Sequence, residues 1–192
     1  MASYVTTGFS KPYVALYSNP SGTNVFSDGM LLARGVSVST DIDEVEDNNF
    51  YADNIVAETE KGNITGGTLT LTVDGLASAA RRLVLGLPAA EDGWTAYGDE
   101  ATLPYVAVGF IRRCMFQGTT FYQAVVFPKC RFSFWSEEAE TQEEQISWQT
   151  QELEASFLRD DTAKHNWKYV GDTDYTTEAL AEAALKSFLS IQ

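Results

Sequence analysis

The chain is poor in the residues that most soluble enzymes use for chemistry. It has one histidine, His165, and two cysteines, Cys114 and Cys130, in 192 residues. A single imidazole cannot build a His-rich metal site, and any Ser-His-Asp or Cys-His arrangement would have to use it. No G-x-S-x-G surrounds a serine, and neither cysteine lies in a nucleophile motif. Two cysteines are too few for a disulfide framework or a zinc site. They stand in apolar, strand-like surroundings and read as buried free thiols, as in a reducing compartment. His165 reads as a solvated loop residue. Positive charge is also scarce: 13 Lys and Arg stand against 27 Asp and Glu, a net charge of −14. A groove that grips DNA phosphates needs clustered cations, so nucleic acid would be repelled rather than held. The longest apolar runs, Val106 to Ile111 and Leu83 to Leu87, fall far short of the ~20 residues of a spanning helix. The N-terminus has neither the basic nor the apolar region of a secretory signal.

What is present is globular: 44% hydrophobic and 12% aromatic residues, enough for one substantial core. The patterning is mostly that of strands. Thr68 to Val73 alternates strictly, with Leu69, Leu71 and Val73 on one side and threonines on the other, as a sheet wet on one face requires. Val14 to Tyr17, Val36 to Thr40, Tyr105 to Met115, Phe121 to Phe127, Cys130 to Phe134, Ile146 to Thr150 and Ala155 to Leu158 read as further strands. Asn19-Pro20-Ser21-Gly22, Asp28-Gly29 and Gln117-Gly118 read as turns.

Two helices are expected. The first starts at an Asp74 cap, has Leu76, Ala79, Ala80, Leu83 and Val84 inward, turns Arg81 and Arg82 away, and ends at Gly86 and Pro88. The second, over 176–190, is capped by Thr176 or Thr177, with Glu178 and Glu182 early, Lys186 late, and Leu180, Ala184 and Phe188 on one stripe. Residues 1–13 read as irregular. The stretch 41–67 reads as a long acidic loop with some pairing near Ile55 to Ala57, and 137–144 as a second acidic loop. Long loops in compact domains tend to be functional.

No motif carries an enzymatic reading. The run from Asp41 fails the EF-hand pattern, with Glu46 at its sixth position and Ala52 at its twelfth. Gly62 to Gly67 lacks the order of a phosphate-binding loop. No pair among 27 carboxylates is singled out for glycoside hydrolysis. Tyr13, Phe50, Tyr51, Trp94, Trp135 and Trp148 are candidates for core or interface positions, or for the platform of a carbohydrate-binding β-sandwich.

Several motifs, taken in order, resemble the major tail (tail tube) proteins of long-tailed, siphovirus-type bacteriophages and prophages. They are Gly8 to Ala15, Phe50-Tyr51-Ala52-Asp53-Asn54, the passage Leu69 to Gly86 with its terminal Leu85-Gly86, and Val108-Gly109-Phe110. Tyr122-Gln123-Ala124, Lys129-Cys130-Arg131-Phe132, Thr141, Ile146 to Thr150 and Leu153 follow. The set spans nearly the whole chain.

The resemblance implies one tail-tube domain over 1–192: a mainly β, sandwich- or barrel-like fold with a flanking helix, a long acidic loop and a short C-terminal helix. It implies a structural, non-enzymatic subunit without metal or cofactor, polymerising as stacked hexameric rings into a hollow conduit for the genome in the virion. Partners would be further copies of the chain, the tape measure protein, the tail terminator and the distal tail or baseplate proteins. DNA would pass through the lumen without specific binding. Phe9, Lys11 and Tyr13 would belong to an N-terminal arm over 1–13. Phe50, Tyr51, Asp53 and Asn54 would lie in an inter-ring loop over 41–67. The chain departs from the family in stopping after its last helix, with no room for the immunoglobulin-like domain some members carry. It also reads Trp135-Ser136 where a proline is expected nearby.

Overall fold

The computed structural model describes residues 4–99, 101–137, 141 and 148–191. Most of the second acidic loop, and Ile146 and Ser147 of the expected strand beside it, lie outside these residues.

The protein is mainly β and antiparallel, with two helices. The strands are β1 (Val5–Ser18), β2 (Val25–Leu31), β3 (Gly35–Glu44), β4 (Asn48–Ala52), β5 (Ile55–Glu60), β6 (Ile64–Val73), β7 (Val106–Phe116), β8 (Thr119–Phe132), β9 (Gln151–Leu158) and β10 (Tyr169–Val170). The helices are α1 (Ser78–Leu85) and α2 (Glu178–Phe188). One eight-stranded sheet runs β2-β1-β7-β8-β9-β6-β3, with β10 paired to β8 beside β9; β4 and β5 form a separate two-stranded hairpin. The sheet rolls until β3 approaches β1. There the Phe9 ring lies 2.2 Å from where a Cβ on Gly35 would sit, so only glycine admits this approach.

Alternation divides the apolar residues between two cores. Inside the roll, Val14, Leu69, Leu71, Val108, Phe127 and Phe157 pack with Val84 and Leu85 of α1. On the outer face of β1, β7 and β8, Tyr13, Ala15, Ala107, Ile111 and Val126 receive Ala181 and Leu185 of α2 and Leu189 just after it. Gly109 makes the second docking possible, since a Cβ there would lie 2.5 Å from Leu185 Cδ1. The two cysteines are buried and unpaired, one of them, Cys130, in the inner core. Burial pushes the Cys130 thiol well above its ordinary range.

Several local expectations change. Residues from Val5 onward are not irregular, because β1 pairs with β7 from Val5↔Met115 to Leu16↔Val106. Asp28-Gly29 is no turn but lies within β2 at an irregularity of the β1–β2 register, with Asp28 at φ 52. Asp74 does not cap α1. The helix starts after Ala77 without a side-chain cap, and Asp74 instead accepts hydrogen bonds from Arg34 N and Arg34 Nε. Gly86 does end it, at φ 60. Arg81 and Arg82 are half-buried rather than turned fully away. In α2 Thr177 is the cap, accepting from Leu180 N, but the buried positions are Ala181, Leu185 and the following Leu189. Leu180 and Phe188 remain exposed, so the buried stripe is one residue, about 100° of helix, from the expected one. The Gln117-Gly118 turn stands as read, with both residues at positive φ between β7 and β8. His165 is exposed, with Nδ1 3.3 Å from the Asp160 carbonyl oxygen.

Candidate interaction surface

The stretch 41–67 is not a loop. Its ends belong to the β3–β6 ladder, which runs from Gly35↔Val73 to Glu44↔Ile64. Between them the chain leaves the sheet as the β4–β5 hairpin. Asp53 and Asn54 form its two-residue tip at φ 51 and 64. Asp and Asn tolerate the left-handed region better than other side chains, and two successive positive φ values match the strand twist of a tight hairpin. Thr59 Oγ1 donates to Asn49 Oδ1 at 2.7 Å across the pair. At the base, Val45 N donates to the Asn63 carbonyl and Gly62 N to Asp47 Oδ1. Gly62 passes so close to Val45 that a Cβ would lie 1.6 Å from the Val45 carbonyl oxygen. Gly62 is thus needed at the base of the hairpin, although in sequence it belongs only to a glycine-rich run that lacks the order of a phosphate-binding loop.

The register fixes which side chains share a face. Tyr51 opposes Val56 on one, while Ala52 opposes Ile55 and Phe50 opposes Glu58 on the other. Phe50, Tyr51, Ile55 and Val56 are 64%, 63%, 66% and 50% exposed. A two-stranded hairpin is marginal in water by itself, and this one turns apolar side chains outward on both faces. Burying one such side chain gains about 1.5–3 kcal/mol. Four of the seven expected contact residues, Phe50, Tyr51, Asp53 and Asn54, therefore come together on one projecting element.

The other three are elsewhere and already occupied. Phe9 packs edge-on to Phe110, with ring centroids 5.2 Å apart. Lys11, at φ 50 in a β1–β7 register irregularity, forms an ion pair with Glu182 of α2. Tyr13 is 5% exposed and donates from its hydroxyl to Glu182 Oε1 at 2.5 Å. Lys186 Nζ lies 3.3 Å from the same oxygen, and Ser10 Oγ donates to Glu178 Oε1 at 2.5 Å. The Lys11 and Tyr13 hydrogen bonds hold the Glu182 carboxyl down at about 2. These residues fasten α2 to β1 within the chain; they are no free arm.

A second feature is a face without a helix. On the outer side of β9, β6 and β3, cross-strand rows read Glu154–Thr70–Ser39, Ser156–Thr68–Asp41 and Glu152–Thr72–Ser37. Ser37 Oγ donates to Thr72 Oγ1 at 2.9 Å. Among the described residues β3 pairs only with β6, which leaves its other backbone edge open there. Near the start of β9 a concavity is lined by Arg81, Trp135, Glu137 and Glu152, with Arg81 Nη1 3.0 Å from Glu137 Oε1.

Among the described residues no group of three His, Cys, Asp or Glu side chains is placed to hold a metal ion, and no helix is long and apolar enough to cross a membrane. The fold and this surface define an antiparallel, mainly β protein whose β4–β5 hairpin pairs with no other strand among the described residues. No protein-family model matches the chain, and no curated protein matches it.

Proposed function

We propose that the protein is a tail tube subunit of a siphovirus-type phage or prophage, a structural, non-enzymatic protein that polymerises as stacked hexameric rings. The observation that carries this reading is the β4–β5 hairpin, whose two faces both leave apolar side chains uncovered. An element of that kind is stable in water when it docks on something else, and other copies of the chain are the partner in a tube. The ordered motifs that resemble tail tube proteins support it, as does a sheet with an open β3 edge, which self-assembly would pair and so protect from uncontrolled aggregation. In the assembled tube the hydroxyl and carboxylate rows of β9, β6 and β3 would face the lumen. Carboxylates there would repel the phosphates of passing DNA. Tape measure, terminator and baseplate proteins would be the other partners, and the virion the location.

Negative-stain microscopy of concentrated protein tests the reading. Wild type should give rings or hollow tubes. Phe50→Ser with Tyr51→Ser should abolish them while leaving the thermal unfolding of the monomer within about 0.5 kcal/mol, as for other exposed positions. Tubes of wild-type length from that variant would remove the hairpin from the assembly.

A carbohydrate-binding module is the second reading, favoured by Trp94 and Trp148 at 82% and 86% exposed. A chain that stays monomeric at every concentration and binds glycans, with loss on Trp148→Ala, would favour it.

A further inference from the structure

The chain carries an excess of 14 negative charges, yet one corner of it is positive. Lys129 and Arg131, near the end of β8, both lie over the ring of Tyr105, with Nζ and Cζ 4.9 and 4.0 Å from its centroid. Lys129 is already paired, with Asp161 Oδ1 at 2.6 Å. Arg131 is exposed and has no ion pair among the described residues. β9 ends beside them, with Leu158 opposite Lys129 and Ser156 opposite Arg131. The chain then continues into Arg159 and the loop that carries Lys164, both exposed and also without an ion pair among the described residues. The other acid here, Asp160, is 1% exposed and accepts from Asn24, Thr162, Asn166 and Tyr169, all neutral donors. Asp160 N also donates to the Asn166 carbonyl at 2.8 Å, so the loop is held in place. Arg131, Arg159 and Lys164 thus face water with no carboxylate on them.

The same end of the sheet sends out the acidic hairpin. Pairing runs from Lys129 through Leu158 and Gly66 to Asp43, and from Arg131 through Ser156 and Thr68 to Asp41. Each row starts at a cation on β8 and ends at an acid on β3, about 14 Å along the sheet. Just past Asp43 the ladder closes at Glu44↔Ile64 and the hairpin leaves. Strands of its length reach about 17–20 Å. The pairs Asn48↔Glu60 and Phe50↔Glu58 put two carboxylates and the exposed Phe50 ring on one face. Neither carboxylate has an ion pair among the described residues. Leu158, 38% exposed between Lys129 and Gly66, offers that ring an apolar surface.

We infer that the corner formed by Arg131, Arg159 and Lys164 receives the Phe50 face of the β4–β5 hairpin of a second copy of this chain. The inference rests on the self-assembly proposed above and adds to it the surface on which the hairpin lands and the sense of the contact. Glu58 and Glu60 meet the cations, and Phe50 covers Leu158. Hairpin and corner lie at one end of the sheet, so copies related by rotation, all pointing the same way, bring each hairpin to the corner of the next. The acidic side of one subunit then meets the cationic side of its neighbour, a head-to-tail contact of the kind that closes into a ring. This places the hairpin contact within a ring rather than between stacked rings.

Cross-linking and charge reversal in the full-length chain test it, with every charge of the contact kept in the first experiment. An Asn48→Cys copy and a differently tagged Ala163→Cys copy, mixed and treated with a short bis-maleimide, should give a mixed cross-linked dimer. Both positions are exposed, one on the Phe50 face and one beside Lys164. The native Cys114 and Cys130, both 0% exposed, stay silent. The yield should fall at ~1 M salt, where the screening length is about 3 Å. Arg131→Glu should weaken self-association in sedimentation about tenfold or more, because it sets like charges against Glu58 and Glu60. Adding Glu58→Lys to that chain should recover part of the loss. Lys164→Glu leaves the Tyr105 stack untouched and should weaken association about threefold or more. The thermal midpoint of each monomer reports that it folds.

The inference is overturned if the mixed dimer is no more abundant than with an Ala183→Cys control copy, whose cysteine lies on the exposed side of α2. Wild-type association of Arg131→Glu and Lys164→Glu would overturn it as well. So would a short DNA duplex that binds wild type and is lost from Arg131→Glu while self-association stays unchanged. Wild-type tubes from Arg131→Glu would sink this site and leave the tube standing. A cross-link from protein that never forms tubes would keep the site and sink the tube.

Discussion

Glu182 shows how one carboxylate can tie a helix to a sheet. It accepts from Tyr13, pairs with Lys11 across a strand irregularity, and lies near Lys186 one helical turn on. Its carboxyl is held at about 2, against an ordinary 4.5, so the folded state favours the ionised form. That contribution is complete above pH 4.5 and is lost as pH falls from there towards 2. Denaturant melts of wild type should therefore weaken over this window, and Glu182→Gln should flatten the dependence there while lowering stability at neutral pH. A variant with the full wild-type acid dependence would exclude Glu182 as its source. Gly109 acts at the same scale through absence. Its missing Cβ leaves room for Leu185 and Leu189, so Gly109→Ala should cost about 1–3 kcal/mol by overpacking, read as a lower thermal midpoint. An unchanged midpoint would mean that α2 shifts without cost. Neither role is legible locally, since Glu182 partners residues about 170 positions away.

Among the elements, those whose two faces meet different media are the ones read directly from sequence. β6 and β9 alternate buried and exposed; the alternation of Leu69, Leu71 and Val73 with threonines is visible without a structure, whereas of β9 the sequence shows only Ala155 to Leu158, and Trp148 to Thr150, expected as strand, lie outside it. α2 is harder, because apolar residues surround much of it. Two stripes compete, 180/184/188 and 181/185/189, and only the gap above Gly109 selects the second. Val14 to Tyr17 of β1 is read as strand, but its polar N-terminal half is hidden for another reason: it pairs with the long β7, so long-range hydrogen bonding makes a strand that composition does not announce. The hairpin was half visible. Its exposed Phe50 and Tyr51 and its Asp53-Asn54 tip stand in the sequence, but strands without a buried face carry no alternation to detect. Its boundaries now define a cleaner experiment. Deleting 41–66 would cut the β3–β6 ladder, whereas replacing 46–61 with a two-residue turn leaves that ladder whole. The shortened chain should fold to a monomer with wild-type circular dichroism and form no tubes; normal tubes would sink the assignment of the hairpin to assembly.

For the whole molecule, the excess of 27 Asp and Glu over 13 Lys and Arg, a net charge of −14, needs only counting. The mainly β class, the two helices and the burial of both cysteines also follow from short-range pattern, because alternation and capping act over a few residues. The tertiary structure decides where those features are spent. It brings Phe9, Lys11 and Tyr13 into the body of the protein, sends Phe50, Tyr51, Asp53 and Asn54 out on a hairpin, and leaves one sheet face without a helix. It also sets the Lys168 ammonium over the rings of Phe127 and Trp167. The physical reason is the range of the interactions. Periodicity and composition are properties of neighbouring residues, whereas strand partners, helix docking and the pairing of a buried charge depend on which distant segments the fold brings within a few ångströms.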